Sequence, residues 1–255
     1  MKIAGNLIPF IRLAGSVVRI SRKFGLRIDT HKEHGRYEKE RAAIAEAETY
    51  WIENLIKIYG LKFDVSGREN IPEEPCVFIA NHQAYFDVMA LAKALEGKQI
   101  GLIAKEEFSK VPLMSKWVLR IRGLFINRGD ARESLKTINE GAELIKQGFS
   151  LVIFPEGKRS CGEGMDEFKP GSFKLAAKAK VLVVPITING THLFFEETGV
   201  FNPRATASVT IHPAIETAHM DRTQLAELPD KVYDIIRNAL PKKGEGYIHD
   251  WDAEK

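Results

Sequence analysis

The sequence predicts an α/β protein, a mostly parallel or mixed sheet covered by helices, with an N-terminal amphipathic helical hairpin. Three observations carry this reading. From Leu61 onward, short runs rich in β-branched and aromatic residues alternate with stretches of helical periodicity, the pattern of strands joined by crossover helices. Before Leu61 the periodicity is helical, in two blocks separated by polar residues. The chain has 255 residues of which 44% are apolar, ample for a substantial core.

In residues 1–28, apolar side chains such as Ile3, Leu7, Ile11, Val17, Ile20 and Phe24 are mixed with Lys2, Arg12, Arg19, Arg22, Lys23 and Arg27. All of these cations precede the first acidic residue, Asp29. A helix of this kind, bent at Pro9, would lie in a headgroup layer with its cations toward anionic lipid. The alternative is a helix packed on the protein's own core, and the clustering of cations favours the membrane surface. Residues 29–35 read as a loop. A second helix runs from about Arg36 to Tyr59, with Trp51, Ile52, Leu55, Ile56 and Tyr59 at helical spacing and Gly60 as its stop. The change at Leu61 divides the chain into a membrane-associating hairpin, 1–60, and an α/β domain, 61–255.

Within the second part, strands are expected near 61–66, 76–80, 99–104, 123–127, 150–154, 181–188 and 205–212. Helices are expected near 87–96, 107–120, 131–147, 171–179 and 221–240. The helix at 107–120 carries Phe108, Val111, Met114 and Trp117, and reads as a cover for the sheet or a border to an apolar channel. The polar stretch 241–255 reads as a poorly ordered tail.

Composition narrows the function. The formal net charge is only +3, and the basic residues are not interleaved with aromatic stacking platforms, which argues against nucleic-acid binding. Cys76 and Cys161 form neither a disulfide framework nor a metal-ligand spacing, so a reducing compartment and no metal are expected. No cleavage site for a signal peptide stands out, and no uninterrupted run approaches the roughly 20 apolar residues needed to span a bilayer. The expected place is the cytoplasmic face of a membrane, peripheral or monotopic.

The chemistry is concentrated where polar residues leave apolar strands. Asn81-His82-Gln83-Ala84-Tyr85-Phe86-Asp87 follows the run Cys76–Ala80. A neutral imidazole can accept a proton near pH 7, and a carboxylate on its other nitrogen fixes the tautomer and stabilises the imidazolium as it forms. Asp87 also stands where a carboxylate caps a helix, so this motif alone leaves a dyad and a turn histidine beside a cap equally open. Gly123–Arg128 delivers an arginine, a donor fork suited to phosphate, to a strand exit. Phe154-Pro155-Glu156-Gly157-Lys158-Arg159-Ser160 forms a polar loop whose glycine permits close approach to a ligand. Glu156 is placed to accept a glycerol hydroxyl or to hold Arg159, and Arg159, with Lys158, to meet phosphate. Val184-Pro185-Ile186 is a core strand.

Taken together, Asn-His-x4-Asp, Gly-x-x-Phe-Ile-x-Arg, Phe-Pro-Glu-Gly-x-Arg-Ser and Val-Pro-Ile, in that order, resemble the four motifs of the glycerolipid acyltransferases. The match is closest to the bacterial 1-acyl-sn-glycerol-3-phosphate acyltransferases and extends over about residues 60–215. The resemblance implies transfer of an acyl group from acyl-CoA or acyl-carrier protein to the sn-2 hydroxyl of lysophosphatidic acid, giving phosphatidic acid with no cofactor. It implies His82 as base and Asp87 as its partner, with Arg128, Glu156, Gly157 and Arg159 around the glycerol phosphate. Lys105 matches a lysine often found in the family and is a further phosphate candidate. Lys158, Asn127 and Ser115 depart from the usual threonine, aspartate and glycine. Alternatives are another lysolipid acceptor, or a non-catalytic protein that binds phosphatidic acid at a membrane.

Overall fold

The computed structural model describes residues 2–241, with side chains from Ile11 onward. The tail expected to be poorly ordered lies outside the described residues apart from its first position. Helix α1 (Lys2–Glu33) and helix α2 (Tyr37–Tyr59) form an antiparallel pair, and Gly60 ends α2 in a left-handed conformation with its N–H on Ile56 O. The loop expected at 29–35 shrinks to three residues. Polar residues 29–33 remain helical because they tie down the segment at Leu119–Arg120: Asp29 accepts a two-armed ion pair from Arg120, and Lys32 Nζ donates to Leu119 O.

Beyond the hairpin come β1 (Lys62–Ser66), β2 (Val77–Ala80), α3 (Asp87–Ala94), β3 (Ile100–Lys105), α4 (Pro112–Arg120), β4 (Leu124–Ile126) and α5 (Ala131–Lys146). They are followed by β5 (Ser150–Ile153), α6 (Lys174–Ala179), β6 (Val183–Asn189), β7 (Thr206–Ile211) and α7 (Arg222–Ala239). All seven expected strands form one sheet of order β1-β7-β6-β2-β5-β3-β4. Strands β6, β2, β5, β3 and β4 run parallel, while β7 is antiparallel to β6 and carries β1 parallel to itself. The expected helix at 107–120 is two pieces, a 3₁₀ segment at Glu106–Lys110 and then α4. Pro112 has no N–H to continue a helix and is accepted only at its first turn.

The central strands are buried on both faces. Val77 and Ile79 of β2 face one apolar cluster; Phe78 and Ala80 face another with Leu91 and Leu95 of α3. The first cluster includes Val17, Ile20, Phe24 and Ile28 of α1 with Ile44 of α2 and Trp117 of α4. The apolar stripe of α1 from Val17 to Ile28 is therefore spent on the protein's own core, the alternative that the cation clustering disfavoured. Burying each such side chain contributes about 1.5–3 kcal/mol relative to leaving it exposed.

Candidate active site

The five parallel strands point their carboxyl ends to one edge, where ligands gather in open α/β sheets. Along it stand the turn after β2 with His82, the end of β3 with Lys105, the exit of β4 with Arg128, and the loop after β5 with Glu156, Gly157 and Arg159.

Asp87 Oδ2 lies 2.6 Å from His82 Nδ1 and also accepts the backbone N–H groups of Gln83 at 2.6 Å and Ala84 at 2.9 Å. Its Oδ1 accepts the hydroxyl of Thr191. The carboxylate is fully buried, and although α3 begins at Asp87 its side chain does not cap that helix. The sequence left cap and dyad equally open; the geometry selects the dyad. An acceptor on Nδ1 puts the proton there and leaves Nε2 as the basic nitrogen. The ring is 21% exposed and stacks on Phe154 with centroids 4.2 Å apart.

Two buried amides brace this turn. Asn81 exchanges hydrogen bonds with both the N–H and the C=O of Ile188 on β6, and Gln83 Oε1 accepts Gly190 N–H. These tie the exit of β2 to the exit of β6 and bring Thr191 onto Asp87.

Glu156 does not hold Arg159, which pairs with Glu196. Its Oε1 accepts His82 N–H at 2.7 Å and its Oε2 accepts Asp166 N–H at 2.9 Å, so each oxygen receives one backbone donor. The carboxylate clamps the His82 turn to the loop after β5, and each oxygen keeps a second lone pair. Burial pushes its carboxyl up to about 7, against the opposing pull of the two N–H donors. Further bonds bind the same loops: Ser160 N–H to His82 O at 2.8 Å and Cys161 N–H to Gln83 O at 3.0 Å.

The cations divide into two sets. Arg159 lies 3.5 Å over the ring of Tyr85 and reaches Glu196 Oε1 at 3.3 Å, while Lys158 points outward to Asp166 at 3.0 Å. Arg128 lies against the backbone of Gly157, donating from Nη2 to Phe154 O at 3.2 Å; its buried Nη1 has no hydrogen-bond partner. Gly157 has φ +79°, which favours glycine, and a β-carbon there would displace the Arg128 guanidinium that lies on its backbone. Lys105 stands exposed at the end of β3, in register with Ile126 and two residues short of Arg128.

Sequence reasoning missed Thr191, Glu196 and Phe154 as partners of the site. Thr191 was within reach of the rule that located His82, a polar residue just past a buried strand; Glu196 opens the polar stretch Glu196-Glu197-Thr198 with no such signal. Cys76 is buried beneath the sheet, where desolvation raises its thiol to about 11. Among the described residues, no cluster of three His, Cys, Asp or Glu is placed to hold a metal, and no helix is long and apolar enough to cross a membrane.

Fold and site together define an α/β protein with a hydrogen-bonded histidine–carboxylate pair and arginines at the sheet's carboxyl edge. The Acyltransferase family model matches residues 62–189, half of the chain, and the protein belongs to that family. A 1-acyl-sn-glycerol-3-phosphate acyltransferase of Saccharomyces cerevisiae is 32% identical over 190 residues, covering 72% of this chain and 62% of the yeast protein. One of Pseudomonas aeruginosa is 30% identical, covering 70% of this chain and 68% of its own. The crystal structure of the 1-acyl-sn-glycerophosphate acyltransferase PlsC from Thermotoga maritima superposes with a TM-score of 0.75 at 21% identity. It covers 95% of this chain and 98% of that one, which establishes a shared fold. The chain spans 40% of a Brassica napus chloroplast relative and 51% of one from Arabidopsis thaliana.

Proposed function

We propose that this protein transfers an acyl group from an acyl thioester to the sn-2 hydroxyl of 1-acyl-sn-glycerol 3-phosphate, forming phosphatidic acid. The supporting observation is the His82–Asp87 pair, its carboxylate buried and its imidazole partly open, beside arginines suited to a phosphate. Nε2 of His82 takes the hydroxyl proton as the oxygen attacks the thioester carbonyl. Asp87 stabilises the imidazolium that forms. Collapse of the tetrahedral intermediate breaks the C–S bond, and the proton on Nε2 goes to the departing thiolate. No covalent acyl-enzyme is required, and Cys161, exposed on the loop after β5, has no hydrogen-bonded base. Arg128, Arg159 and Lys105 hold the acceptor's phosphate; Glu156 and Gly157 shape the loop that presents them. The donor is acyl-CoA or acyl-carrier protein. Purified protein given lysophosphatidic acid and each donor in turn is expected to yield phosphatidic acid by mass. Thioester left unconsumed while phosphatidic acid still binds would instead mark a lipid-binding protein.

The membrane reading rests on the outward face. Val18 and Leu26 of α1 are exposed with Arg19, Arg22 and Lys23 beside them, and α4 packs against α1 with Met114 and Leu119 also exposed. Phe108 and Val111, just after Lys105, extend the apolar exposure toward the cleft. This face sits on anionic lipid at the cytoplasmic side, delivering both amphiphilic substrates to the site. Because α1 is also core, deleting residues 1–28 would unfold the protein, and charge reversal is the cleaner test. Arg12, Arg19 and Arg22 replaced together by glutamate are expected to release the protein from anionic vesicles with its unfolding temperature nearly unchanged. Undiminished co-sedimentation would remove this face from the account.

A further inference from the structure

We infer that Lys169 completes, with Arg128 and the bare backbone of Gly157, a cradle for a phosphate monoester, which under the proposed function is the phosphate of the acyl acceptor. A β-carbon on Gly157 that overlaps Arg128 Nη1 would also lie 3.2 Å from Lys169 Nζ, so both cationic heads converge on one backbone atom. Like charges brought together repel, and the one carboxylate that favours the charge on Arg128, Glu107, does so without forming an ion pair with it. Lys158 has Asp166 and Arg159 has Glu196, whereas among the described residues neither Arg128 nor Lys169 forms an ion pair. Arg128 Nη1 is moreover buried without any acceptor. A guanidinium nitrogen removed from water with no partner is costly unless an anion completes it.

Lys169 is exposed, yet its position is fixed from behind. Its N–H donates to Pro155 O at 3.2 Å, closing the excursion from Pro155 to Lys169 at its neck. Phe168, one residue earlier, is buried against Phe173 and edge-on to Tyr233, which leaves Lys169 on the cleft side of that anchor. The cradle is continuous with the dyad. Arg128 donates to Phe154 O, the Phe154 ring stacks on His82, and Glu156, the neighbour of Gly157, holds His82 N–H.

A phosphate monoester is also carried by coenzyme A, so the test separates the two sources. Lys169→Met keeps the aliphatic stem and removes the charge. It is expected to weaken binding of glycerol 3-phosphate and to raise KM for lysophosphatidic acid about tenfold, with a smaller change in kcat. KM for a long-chain acyl-CoA should not move, Lys169→Arg should restore the acceptor KM, and the unfolding temperature should hold or rise as like-charge repulsion is relieved. An unchanged acceptor KM overturns the inference, as does a rise confined to the acyl-CoA KM, or a lowered unfolding temperature with KM intact. If the wild type binds glycerol 3-phosphate through Lys169 but does not acylate lysophosphatidic acid, the proposed function fails and the cradle stands.

Discussion

Replacing His82 by alanine is expected to reduce kcat/KM for acyl transfer by about a thousandfold or more, with the protein still folded. A positioned general base contributes roughly 10²–10⁴ in rate, and no other described side chain is arranged to replace it. The fold survives because the turn is held by groups that the substitution leaves in place. The backbone N–H of residue 82 donates to Glu156, its carbonyl accepts Ser160 N–H, and Asn81 and Gln83 anchor the flanks. The imidazole is partly exposed, and its loss leaves Asp87 still receiving two backbone N–H groups and the Thr191 hydroxyl. Cys161→Ala is the matched control, expected to keep activity within about twofold because Cys161 joins the site only through its backbone N–H. Activity lost with Cys161 and kept without His82 would replace direct transfer by an acyl-enzyme route.

How much of this was legible follows from the range of the interactions. The strands were, because each is a short apolar run bounded by turn residues, and the nearness of His82 and Asp87 was, because both lie on one turn within five residues. The direction of α1 was not. Its clustered cations favoured a membrane surface over a protein core, and only the helices at Ile44 and Trp117 turn Val17 to Ile28 inward. Glu156 was found as a candidate site residue, but its part as a clamp was not. A glutamate beside glycine and two cations suggests a ligand, whereas its partners, the N–H groups of His82 and Asp166, carry no sequence signature. The same limit hid Glu196 behind Arg159 and Lys169 behind Arg128, since charge pairing and its absence become visible only when separate loops are folded together.

Substitutions at Asp87 separate its charge from its hydrogen bonds. Oδ2 accepts three donors, two of them backbone N–H groups, so in Asp87→Asn the amide oxygen must take that place and the NH₂ must face Thr191. The threonine hydroxyl can rotate to accept from it, so the three donors on Oδ2 keep their acceptor. His82 keeps its Nδ1 proton and its tautomer, but the imidazolium formed during transfer has lost its counter-charge. Asp87→Asn is therefore expected to lower kcat by at least about a hundredfold while shifting the unfolding temperature only slightly. Asp87→Ala strands two backbone N–H groups and a hydroxyl in a fully buried site, at about 1–3 kcal/mol each when no water replaces the carboxylate, and should lose both activity and several degrees of stability. Kinetics and thermal unfolding of the two variants, measured side by side, decide the matter. If Asp87→Asn retained wild-type turnover, the carboxylate would be a scaffold only and His82 would have no charged partner. If it unfolded as early as Asp87→Ala, the amide would not be seated as the three donors require.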